Sequence, residues 1–133
     1  MKENKLVVRY LDGYVVKGYT LDFSATKDSF HINPVDDRAT TIEVRLNLIK
    51  AVFFVKDFAG QAAYDERKEY DPAQKILGKK MHVLFKDGEV LVGVAEVYMP
   101  NRKGFFLFPA DTNSNAEKVF VVNSSVTEVR FLN

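Results

Sequence analysis

Two histidines, a few carboxylate-bearing loops and two cationic turns are the only places where this 133-residue chain could do chemistry. His31 and His82 have no carboxylate–nucleophile pattern beside them, and neither G-x-S-x-G nor H-E-x-x-H occurs. Both are therefore expected to be ordinary strand residues. The loop PADTNSNAEK (109–118) spaces Asp111, Asn113 and Asn115 like the first oxygen ligands of a calcium loop. Its sixth and twelfth positions, Gly and Glu in such a loop, are Ala116 and Val122, so a polar hairpin connection is expected instead. DFSATK (22–27) ends on Lys27, and PNRKG (100–104) carries Arg102 and Lys103. Brought together, these three cations could hold a phosphate or another anion through charge-assisted hydrogen bonds; held apart, they are solvated turns. No catalytic residue, metal ligand or cofactor is expected, and hence no enzyme.

The bulk properties narrow the partners. Nineteen basic residues face eighteen acidic ones, a net charge of +1. That is far from the basic footprint of a general nucleic-acid binder, so a nucleic-acid partner is not expected. Hydrophobic residues make up 47% of the chain, enough for a packed core. Cysteine is absent, which removes disulfides, zinc thiolates and thiol nucleophiles. The opening MKENKLVVRYLDGY has neither the apolar run of a membrane span nor a cleavage site, so a cytoplasmic protein is expected.

The elements that must position these residues come from a phrase written twice, LDGYVVKG (11–18) and KDGEVLVG (86–93). A shift of 75 carries Asp12-Gly13 onto Asp87-Gly88, Gly18 onto Gly93, Phe30 onto Phe105 and Pro34 onto Pro109. After a two-residue insertion, IKAVFFV (49–55) falls on VTEVRFL (126–132). Asp-Gly between alternating apolar runs predicts a tight hairpin. A two-residue turn would set Lys86 opposite Glu89, Phe85 opposite Val90 and Val83 opposite Val92. In the first copy it would set Tyr10 opposite Val15 and Val8 opposite Lys17. Gly18 and Gly93, inside strands, predict sharp bends. Strands are expected near 5–11, 14–23, 29–33, 41–47 and 49–56, and again near 80–86, 89–98, 104–108, 117–123 and 126–132. The expected architecture is all-β: two repeated five-stranded small barrels, at 1–56 and 80–133. A partly helical connector at 57–79 joins them, its last turn marked by Asp71, Pro72 and Gly78.

KKMHVLFKDGEVLVGVAEVY, following a short helix that ends in glycine, resembles the opening of an Sm-like small barrel, and SH3-like barrels share the pattern. The paired halves are also similar to an uncharacterised bacterial family of tandem DG-x-V-x-x-G modules. These resemblances imply a fold and no activity. The Arg-Gly step with which RNA-binding Sm proteins hold uridine occurs in neither copy. DFSATK partly matches the D-x-S-x-x-G segment of PilZ domains, with Lys27 in place of the glycine and Lys5 and Arg9 as the upstream cations. That likeness implies a sensor for a nucleotide or other anionic ligand, the alternative to a non-catalytic interaction module.

Faces point to a contact. His31 and Asn33 in the first copy align with Phe106 and Phe108 in the second, while Phe53 aligns with Arg130. Three aromatics thus stand where their counterparts are polar. Phe53, Phe106 and Phe108 are expected to bury against the other half or a second subunit, which makes a protein partner or self-association the expected mode of action.

Overall fold

The computed structural model describes residues 3–58, 78–111 and 113–132. Ten antiparallel strands dominate them. They are β1 (Asn4–Tyr10), β2 (Val15–Thr20), β3 (Ser29–Pro34), β4 (Ile42–Arg45), β5 (Ile49–Val55), β6 (Lys79–Phe85), β7 (Val90–Ala95), β8 (Gly104–Pro109), β9 (Ala116–Val122) and β10 (Val126–Leu132). All ten join one sheet, in the order β10-β6-β7-β8-β9-β5-β1-β2-β3-β4. The sheet is open, with β10 and β4 at its two ends, so the strands do not form two separate closed barrels. Within β1–β5 and within β6–β10 the order is the same. Residues 59–77, where most of the helical connector was expected, lie outside the described residues.

Both Asp-Gly hairpins are one residue longer at the turn than the sequence suggested. Gly88 has φ +92°, its N–H donates to the Phe85 carbonyl, and Phe85 N–H donates to the Glu89 carbonyl. The loop is therefore the three residues Lys86-Asp87-Gly88, with glycine in the left-handed position. Each register slips by one, to Leu84 opposite Val90 and Val83 opposite Leu91. In the first hairpin the slip sets Val8 opposite Val16 and Val7 opposite Lys17. That removes the mismatch of Val8 with a lysine: Val8 and Val16 are both buried, and Lys17 is exposed.

Several strands stop early. β4 ends at Arg45 and passes into a 3-10 turn at Leu46–Leu48, and β7 ends at Ala95. β2 ends at Thr20, whose buried hydroxyl donates to the His31 carbonyl and bonds Asp22.

Two apolar clusters form, and β5 and β9 serve both. The first holds Leu6, Val8, Phe30, Ile32, Val44 and Val52 together with Phe120 and Val122 of β9. The second holds Met81, Val83, Phe85, Leu107, Val119 and Val121 together with Ala51 of β5. Because β5 pairs with β9, alternate residues of each strand point to opposite clusters, as period-two geometry requires. β5 reads as a nearly continuous apolar run because both its faces are covered.

Candidate functional site

The segment between β7 and β8 and the end of β8 build an apolar groove of about 390 Å³. β7 stops at Ala95, so Val97 and Met99 leave the sheet and stand 57% and 44% exposed. Phe108 on β8 is 40% exposed beside them. Phe105, Phe106 and Phe120 form the wall, and Gly104 forms part of it. At Gly104 a Cβ would lie about 2.7 Å from the Phe120 ring, so only a glycine lets strand and ring approach this closely. Two charges border the groove, Glu96 and Lys118. The Lys118 ammonium lies 4.9 Å from the centre of the Phe106 ring and 4.8 Å from that of Phe54. Cation–π attraction holds it at the edge of the apolar surface.

A larger cleft, about 890 Å³, lies where the two halves meet. Four charged side chains on its polar side form a network. Lys50, 5% exposed, is 2.7 Å from Asp87 and also pairs with Glu89; its ammonium sits 4.6 Å above the Phe85 ring. Arg9 pairs with Glu89 at 3.3 Å and lies over Phe53. The hydrogen bond from Lys50, followed by one from the Glu89 backbone, holds the Asp87 carboxyl below its usual range. Through Lys50, Arg9, Asp87 and Glu89 this cleft braces the first half against the second half's hairpin turn.

The cations singled out from the sequence are partly brought together. Arg102 and Lys103 line a third cleft, about 510 Å³, along with Arg45, Asp28 and Glu43, whereas Lys27 is exposed and does not line it. Lys103 pairs with Asp28, and Arg45 with Glu43 at 3.2 Å. His31 bonds Asp22 through Nδ1 at 2.7 Å, and His82 lies far along the sheet on β6. Asp111 is buried and accepts a hydrogen bond from Asn113 N–H, while Asn115 ties its loop to Asp57. Among the described residues no group of three or more His, Asp or Glu is placed to hold a metal ion.

Of the three singled-out aromatics, Phe53 packs against the second cluster and Phe106 against the first, each away from its own half's core. Phe108 faces the groove. Val97 and Met99 escaped notice in the sequence because VAEVYM alternates like a strand. Their exposure arises only from where β7 stops.

The comparison that places the chain is with a sequence family whose pattern matches residues 2–133. The chain belongs to the family of unknown function DUF6982. For DUF6982, then, the match covers both halves and the joint between them. No curated protein and no solved structure matches the chain. No helix among the described residues is long and apolar enough to cross a membrane.

Proposed function

We propose that this protein is a non-catalytic interaction module made of two related five-stranded halves, and that it takes an apolar segment of a protein partner into the groove between Val97, Met99 and Phe108. The exposure of these three large side chains around one concavity carries the proposal. Contiguous apolar surface framed by charges is what protein-binding patches look like, and leaving it wet forgoes roughly 1.5–3 kcal/mol for each side chain that could be fully buried. Glu96 and Lys118 would orient the segment, favouring an anchor flanked by charges of both signs. The test is to pan a peptide library on the full chain and measure the selected peptides against variants. Phe108→Ser and Met99→Ser should each weaken binding at least about tenfold with the melting temperature unchanged. Peptides that bind both variants as tightly as the parent would overturn the proposal.

The cleft of Arg45, Arg102 and Lys103 favours a second reading, a sensor for a nucleotide or other anion. Titration with a cyclic dinucleotide, inorganic phosphate and short RNA, read by melting temperature, distinguishes the two. A rise abolished by Arg102→Ala supports the sensor; no rise with any anion leaves the module.

A further inference from the structure

The open ends of the sheet differ, and β10 is the end built to be covered. It is a seven-residue strand with β6 on one side and, among the described residues, no strand on the other. The other end, β4, is only four residues and runs into a 3-10 turn whose Leu46 is buried, so it offers little backbone to a new strand. Along β10, Glu128 and Arg130 flank Val129; both are exposed, and their charged groups lie 3.8 Å apart. Read in either direction from Val129, the sequence meets one charge of each sign. Such a strand is complementary to itself when antiparallel. Only a two-fold axis at Val129 sets Glu128 opposite the partner subunit's Arg130 and Arg130 opposite the partner subunit's Glu128, on one face of the sheet.

Head-to-tail addition is disfavoured by the same residues. β10 meeting another chain's β4 in the register that joins β5 to β9 would put Glu128 where Ala51 is fully buried, and Arg130 where Phe53 packs on the second cluster. Burying the Glu128–Arg130 pair there would strip both ions of water, a cost that a contact as long as 3.8 Å repays poorly. The edge is therefore closed to an open chain of copies and open to a closed pair.

We propose that β10 pairs antiparallel with β10 of a second copy about a two-fold axis at Val129, forming a homodimer with one continuous sheet. The pairing is independent of the apolar groove. Analytical ultracentrifugation of the full chain over a concentration series tests it. The parent should show a monomer–dimer equilibrium. Arg130→Glu alone and Glu128→Arg alone each set like charges opposite one another across the axis, and should weaken the dimer at least about tenfold. Mixing these two variants should restore association as a one-to-one heterodimer, and the double swap should dimerise as the parent does. A parent that stays monomeric at every concentration would sink the proposal. So would a dimer indifferent to both charge changes, a mixture that fails to associate, or a dimer lost instead on Arg45→Glu at the β4 end.

Discussion

At the residue scale, the most informative group is Lys50. Its counterpart in the shifted alignment is Thr127, so nothing in the repeat pattern marks it out; its chemistry appears only once β5 is placed beside the second hairpin. An ammonium this buried needs a counter-charge, and the Asp-Gly turn, legible from sequence as a bend, supplies it through Asp87 and Glu89. The pH dependence has a definite sign. The folded-state Asp87 carboxyl is held below its unfolded value of about 3.9, so its contribution is fully present above that value and is lost as the pH falls through the depressed one. Urea unfolding measured down the acid limb should thus steepen below about pH 4, and Asp87→Asn should flatten that limb. Asp22 adds in the same direction. Its partial burial opposes ionisation, but the hydrogen bonds from His31 and Thr20 outweigh it and lower its pKa. An Asp87→Asn variant with an unchanged acid limb would show that the carboxylate gains nothing from Lys50 in the folded state.

At the element scale, the sequence carried the strands well and their registers less well. Ten apolar runs with period-two alternation, punctuated by Asp-Gly and Gly, name ten strands because side-chain alternation and turn chemistry are local properties. The hairpin registers missed by one because Asp-Gly serves both a two-residue turn and a three-residue turn whose last position is left-handed, and the choice depends on which valines find a core. The bend glycines are legible for a different reason. At Gly93 a Cβ would press into the carbonyl of Phe108 and lie about 2.8 Å from the Leu107 side chain, where β7 pairs with β8. Backbone cannot step aside as a flexible side chain can. Gly93→Ala should therefore cost about 1–3 kcal/mol, measured by urea denaturation, with Gly18→Ala behaving alike over Asn33 and Ile32. Gly13 has open space around it, but its φ of +93° makes Gly13→Ala strained through backbone conformation alone. The groove residues Val97 and Met99 were not legible, because where a strand ends depends on its neighbours as well as on its own alternation.

At the scale of the whole molecule, the joint between β5 and β9 decides whether the halves are separate bodies. Phe120 and Val122 belong by sequence to the second half and by packing to the first cluster, while Ala51 crosses the other way. The uneven placement of Phe53 and Phe106 in the sequence hinted at such an exchange. It could not show that β5 and β9 would pair directly, since that contact spans more than 60 residues. An exchanged core leaves each half incomplete without the other. Residues 1–58 alone would lack the fully buried Phe120 ring and expose both Ala51 and Val52, and a unit of about 55 residues has little stability to spare. In the full chain Phe120→Ala should cost about 3–5 kcal/mol, with near-ultraviolet and far-ultraviolet signals still lost together in one transition. The fragments 1–58 and 78–133 should each give poorly dispersed amide spectra when alone and a dispersed, native-like spectrum when mixed. A fragment 1–58 that folds unaided would show that the first cluster closes without β9, and the exchange would then be a docking contact rather than part of the core.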